Sequence, residues 1–238
     1  MTRLVPSSVL VSALLLVSFE TFAQESASAP APGEQRVMAG EARSDGEEDR
    51  LGAVVAPVVL PAGSTALYGF VGAPELGVGF RQGLGGVELE ARGRLNWFQL
   101  SAALELGVRL EVLKRGPLSL APTLGLGVVL NSGSTYMDDD NFSGVLARVS
   151  PGLVAGYKVG DTVARLGLVD LPVDVGLTRE TGQRLQALGG GGVEVYLGSN
   201  LSVLAAGQVG VETFRERFGD RVTRLGWSTR LGLGARLF

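Results

Sequence analysis

Phe98-Gln-Leu-Ser-Ala-Ala-Leu-Glu-Leu-Gly-Val-Arg-Leu-Glu-Val112 is the stretch on which the fold turns. Its even positions, Phe98, Leu100, Ala102, Leu104, Leu106, Val108, Leu110 and Val112, are all apolar. Its odd positions, Gln99, Ser101, Ala103, Glu105, Gly107, Arg109 and Glu111, are polar or small. Leu, Ala and Glu are good helix formers. At 100° per residue, however, the leucines would scatter around the cylinder and Glu111 would lie far from Glu105 and Arg109. A period of two separates the two classes cleanly, so the stretch reads as a strand with one greasy and one polar face.

The same alternation recurs. Val87, Leu89, Ala91, Gly93 and Leu95 alternate with Glu88, Glu90, Arg92, Arg94 and Asn96. Residues 118–130, 145–159, 201–211 and 223–237 behave likewise. Such strands are long against the usual five or six residues of soluble sheets, and they match the roughly 9–11 residues that a tilted strand needs to cross a bilayer. Residues 114–117, 160–161 and 198–200 read as tight turns, whereas 131–144, 178–184 and 215–221 are longer and polar. Short turns on one side and long loops on the other suit a barrel in an outer membrane.

Composition narrows the function classes. The chain has 238 residues, 21 Lys+Arg against 24 Asp+Glu, 36 Gly, and neither Cys nor His. With 45% hydrophobic residues and a mean hydropathy of +0.27, it is not a disordered chain. The lack of cysteine excludes disulfides, thiolate metal sites and thiol nucleophiles, and the lack of histidine removes imidazole bases and the commonest metal ligand. A net charge of −3 argues against nucleic acid as a partner.

Residues 1–23 read as a cleaved secretory signal peptide. Arg3 supplies the positive start, Val9 to Phe19 an apolar run too short to span a bilayer, and Thr21-Phe22-Ala23 the small residues before Gln24. Residues 24–50 are rich in Ser, Ala, Pro and Glu, and their acids outnumber their bases, which predicts a solvated acidic tether. Residues 51–64 form an apolar lead-in, with Leu51 to Leu60 either an extra strand or a piece packed at the rim. Residues 65–238 are the barrel.

The chain closes Trp227-Ser-Thr-Arg-Leu-Gly-Leu-Gly-Ala-Arg-Leu-Phe238. An amphipathic final strand ending on an aromatic residue resembles the terminus of small bacterial outer-membrane β-barrels of the OmpA/OmpX-like class, where the barrel-assembly machinery reads it. Arg230, Gly232, Ala235, Leu237 and Phe238 carry the likeness. The sequence departs from the usual pattern in that Phe238 lies in phase with Arg230 and Arg236, opposite Leu231, Leu233 and Leu237. The resemblance implies an all-β, transmembrane, antiparallel up-and-down barrel in the bacterial outer membrane. Counting back from the C-terminus gives 222–237, 201–213, 187–197, 163–177, 145–159, 118–130, 98–112 and 86–96. Residues 65–71 and 75–81 bring the total to ten, with eight the second choice.

Apolar faces should meet lipid and polar faces the lumen. The expected lumen charges are Glu88, Glu90, Arg92 and Arg94 in one strand, and Glu105, Arg109 and Glu111 in the next. Arg148 and Lys158 follow, then Glu194, Glu212, Arg224, Arg230 and Arg236. Glycines such as Gly77, Gly79, Gly107 and Gly125 share that face and make room for long side chains in a narrow barrel. Tyr68, Phe80, Trp97, Phe98, Tyr157, Phe214 and Trp227 are candidates for interfacial girdles or for core packing. Pro122 and Pro151 fall inside strands, which suggests bulges there. The phase also flips between Arg165 and Asp170, which suggests a bulge near Gly167 that turns Asp170 and Asp174 inward.

The outer-membrane phospholipase, omptin, lipid A deacylase and lipid A palmitoyltransferase families all rely on a catalytic histidine, which is missing here, so no enzyme activity is expected. Asp138, Asp139 and Asp140 form a loop cluster that could serve as a weak cation site, though a solvated loop tip is the favoured reading. Gly189–Gly192 lacks the Lys-Ser/Thr of a phosphate loop. No cofactor and no metal are expected. The expected partners are outer-membrane lipid and lipopolysaccharide, with the assembly machinery during biogenesis. The reading is a closed, charge-filled structural or interaction module, with a small porin-like channel for ions or solutes as the alternative.

Overall fold

The computed structural model describes residues 59–134, 141–177, 182–198, 200–215 and 219–237. These form β1 (Thr65–Ala73), β2 (Glu75–Gly83), β3 (Val87–Asn96), β4 (Ser101–Leu110) and β5 (Leu113–Arg115). They continue as β6 (Leu118–Ser132), β7 (Ser143–Val159), β8 (Val163–Asp170), β9 (Val173–Gly176), β10 (Gln183–Tyr196), β11 (Leu201–Arg215) and β12 (Arg221–Arg236). All pairings are antiparallel, and β5 is a short extension hydrogen-bonded to β6 alone. β8 and β9 together make one stave between β7 and β10. Pairing of β1 with β12 and of β6 with β7 closes the sheet into a ten-stave barrel, as the sequence pattern predicts; eight is displaced.

Burial follows the alternation and is inverted relative to a soluble protein. Leu104 and Leu106 are 72% and 70% exposed, whereas Arg81, Glu88 and Glu194 are 0% exposed. Large apolar side chains point outward on every stave, among them Val78, Leu89, Leu126, Val149, Val169, Val193, Val209 and Leu231. Water does not favour so continuous an apolar belt; hydrocarbon does. Because the sheet is closed, no backbone edge faces that belt along the paired lengths of the staves.

Several expectations are corrected. No bulge lies near Gly167: β8 keeps one register against both neighbours, and β9 resumes it. The apparent phase flip arises because Leu166 and Leu168 are themselves buried inside, in phase with Ala164, Asp170 and Asp174. Pro151 and Pro122 sit in unbulged strands that pair continuously with each other's neighbours. Their missing N–H groups are tolerated because each faces a break in an adjoining stave. Pro151 lies opposite the gap between β8 and β9, where its carbonyl accepts from Leu171 N–H at 2.9 Å. Pro122 lies opposite the step between β4 and β5, where the pairing partner on β6 shifts by one residue.

The first residues of the deciding stretch belong to a turn, not a strand. Asn96 Oδ1 accepts the backbone N–H groups of Phe98 and Gln99, each at 3.0 Å, which closes a turn after β3 and delays the start of β4 to Ser101. The lead-in is not a strand over residues 59–64. Val59 and Leu60 are buried, and Leu60 N–H donates to Glu88 Oε2 at 2.9 Å, so this piece tucks into the barrel mouth beside the start of β1. The signal peptide, the tether, residues 51–58, Asp138, Asp139, Asp140 and Phe238 lie outside the described residues.

Candidate functional site: the charged barrel interior

Small residues on the inner face open space that rings and guanidinium groups then fill. A Cβ at Gly77 would come within 2.6 Å of the Phe70 ring, and one at Gly79 would overlap Tyr68. Both glycines are therefore required beneath inward aromatics, a contact that covers the bare backbone of the neighbouring strand. Tyr68 and Phe214 are thus core residues, while Phe80, Tyr157 and Trp227 point outward.

Near the mouth that receives Leu60, Arg81 and Glu88 form a two-bonded pair, Nε to Oε1 at 2.5 Å and Nη2 to Oε2 at 2.7 Å. Arg109 lies 3.8 Å from Glu88 and 4.0 Å from Glu90, and the Tyr68 hydroxyl donates to Glu90. Halfway up, Glu105 gathers Arg92 at 2.6 Å, Arg148 at 3.2 Å, and Arg94. Arg94 also reaches Glu75 at 3.3 Å. At the opposite end Asp174 is held by Arg148 at 2.6 Å and Arg184 at 2.7 Å. Arg184 Nη1 donates to Gln99 Oε1 at 2.9 Å, and Arg224 pairs with Glu212 at 3.1 Å.

Three of these contacts skip intervening staves. Tyr68 to Glu90 passes over β2, Arg148 to Glu105 passes over β6, and Arg184 to Gln99 joins β10 to the turn before β4. Side chains of non-adjacent staves can meet only through the inside of the cylinder. Paired with several partners each, these buried charges avoid the large penalty of an isolated ion.

Of the residues singled out by sequence, Glu88, Glu90, Arg92, Arg94, Glu105, Arg109, Arg148, Glu212 and Arg224 are brought together in these clusters. Arg230 lies 3.9 Å from Glu75 and over the Phe70 ring. Glu194 is fully buried on β10, toward the other end. Arg236 donates to Ser64 Oγ at 2.8 Å, at the foot of the barrel. Lys158 stands apart, 3.8 Å from exposed Asp161 in the turn after β7. Glu111 lies beyond the end of β4 and has one buried oxygen without a hydrogen-bond partner. Gly232 faces inward, and Leu237 faces outward.

Sequence reasoning missed Glu75, Arg81, Gln99 and Arg184 as members. Arg81 continues the phase of Gly77 and Gly79, and Arg184 continues that of Leu188 and Glu194 once β10 is extended to Gln183. Among the described residues no cluster of three or more Asp, Glu, His or Cys could hold a metal.

The architecture is that of a small outer-membrane-type β-barrel. No protein-family model matches the chain, and no curated protein matches it. Among solved structures it is similar to the outer membrane protease OmpT from Escherichia coli. Identity is 10%, the TM-score is 0.37, and the match covers 73% of this chain and 93% of that one. The expectation of no enzyme activity is corrected on this finding: the matched barrel is a protease, and a likeness of fold alone leaves enzyme status open. The absence of histidine removes imidazole chemistry but leaves the interior carboxylates, which are paired with arginines. The likeness is one of fold and assigns no activity to this chain.

Proposed function

We propose that the protein is an integral outer-membrane barrel whose interior is closed by its own paired charges, so that it acts as a structural or interaction module. The observation that carries this reading is the set of contacts across the inside, above all Glu105 with Arg148 and Arg184 with Gln99. A ten-stave cylinder has a narrow lumen, and long side chains from facing walls suffice to fill it. The Leu60 segment occupies the lower mouth as well. The apolar belt supports insertion in lipid. In this reading the segments that follow β6, β9 and β11 in the chain meet lipid headgroups, lipopolysaccharide or a protein partner. Export through a cleaved signal peptide, and recognition of β12 with Phe238 by the assembly machinery, complete this reading.

The test is conductance. Protein refolded in detergent and reconstituted in planar bilayers is expected to give no stepwise currents. Reproducible unitary steps from the wild-type protein would overturn the closed reading in favour of the small channel.

A further inference from the structure

The wall is not of even height. β12 pairs with β11 along its whole length, but on its other side β1 reaches only as far as Ala73, opposite Thr229. β2 begins at Glu75, just across the turn. Residues 221–228 of β12 therefore have a strand on one side only, and a notch opens beside them above the tips of β1 and β2. Leu225 is 68% exposed and Trp227 42% exposed on the outer face here, so the notch lies level with the upper part of the apolar belt. A strand edge at that depth is costly if it meets hydrocarbon alone.

The floor of the notch is aromatic. Trp227 packs edge-on against Phe98 at 5.9 Å, and Phe98 against Trp97 at 4.4 Å. Trp97 Nε1 donates to the carbonyl of Gly72 at 2.9 Å, which fixes this sill to the end of β1. Behind it lies a cavity of about 250 Å³. Its lining includes Leu225, Gly226, Trp227 and Ser228, the residues of β12 that border the notch, so the cavity lies inside the barrel directly behind the unpaired edge. Four arginines (Arg92, Arg94, Arg224 and Arg230) line it against three acids (Glu75, Asp170 and Glu212), and the buried Nε of Arg92, Arg94 and Arg230 has no hydrogen-bond acceptor among the described residues. Arg230 and Arg94 share Glu75 at 3.9 and 3.3 Å, and Arg94 also pairs with Glu105, yet the Nε of each keeps no acceptor among the described residues.

We propose that the notch is a lateral portal for a membrane lipid with a negatively charged phosphate headgroup. The phosphate enters the cavity and accepts from Arg94 and Arg230, with Arg92 behind them. The acyl chains stay outside along Leu225 and Trp227. Guanidinium forks suit phosphate oxygens, and the sill places aromatic rings where headgroup and chain meet. The headgroup also supplies hydrogen-bond partners to the free edge of β12. The proposal rests on the membrane reading above and adds a site to it.

Trp97 and Trp227, the two tryptophans of the chain, both lie at the notch, so intrinsic fluorescence reports on it. The full protein is reconstituted in dioleoyl phosphatidylcholine containing a small fraction of dibrominated phosphatidic acid or, separately, of dibrominated phosphatidylcholine. At equal mole fraction the anionic lipid is expected to quench at least about fivefold more effectively. Excess inorganic phosphate should not reverse this, because the chains anchor the ligand. The preference is expected to vanish in Arg230→Gln and in Arg94→Gln, either variant sufficing if its unboiled gel mobility is retained. Equal quenching by the two lipids, a preference that survives both substitutions, or reversal by inorganic phosphate overturns the portal. Dimers in sedimentation that bury the tryptophans from both lipids would show that a second copy occupies the edge instead. Absence of quenching by either lipid in a monomer would contradict membrane insertion itself.

Discussion

At the scale of single residues the interior is organised around shared acids. Glu105 is buried and serves Arg92, Arg94 and Arg148 at once. Glu105→Ala would leave three guanidinium groups facing one another without their common acceptor. The expected cost is about 3–5 kcal/mol, as for breaking a buried ion pair, read as a lower urea midpoint for loss of the fast-migrating unboiled gel band. A midpoint unchanged from wild type would mean that the cluster is solvated. Gly79→Ala is expected to cost about 1–3 kcal/mol through collision with Tyr68, and most of that should be recovered in the double variant with Tyr68→Ala. Additive losses would contradict the stacking. Most of the inner charges were legible because alternation alone sets the face of a residue. Arg81 and Arg184 escaped because each sits at a strand end, where the sequence pattern has too few neighbours to reveal its phase. Gln99 escaped because it occupies a turn and reaches inward through the Asn96 cap.

At the scale of strands, depth in the belt governs tolerance. Leu231 lies outward on the lower half of β12, in the stretch paired on both sides, whereas Leu225 lies outward near the upper end. Leu231→Arg is expected to cost about 2–4 kcal/mol and Leu225→Arg about 0–1 kcal/mol, measured by reversible unfolding in lipid vesicles. Equal costs would mean that the belt is not hydrocarbon-facing. Strand number and order were readable from the alternation, yet the phase of β8 was not. Leu166 points inward to pack with Tyr68, Phe70 and Leu204, and Leu168 is buried on the same inner face, so a greasy residue on that stave does not mark the lipid side. Local pattern cannot distinguish an apolar patch of the interior from the outer face. Only the pairing with β7 and β10 does so.

At the scale of the whole molecule, closure and the uneven wall depend on register, which is why no stretch of sequence disclosed the notch beside β12. The account stands on outward apolar and inward charged faces in one closed cylinder. Because the chain has no cysteine, single cysteines can be placed and spin-labelled without background. The most direct measurement is electron paramagnetic resonance accessibility along residues 102–108 in bilayers. Labels at Ala102, Leu104, Leu106 and Val108 are predicted to collide freely with oxygen dissolved in the lipid, and those at Ala103, Glu105 and Gly107 to be shielded. A period near 3.6, or oxygen contact on the odd positions, would contradict it.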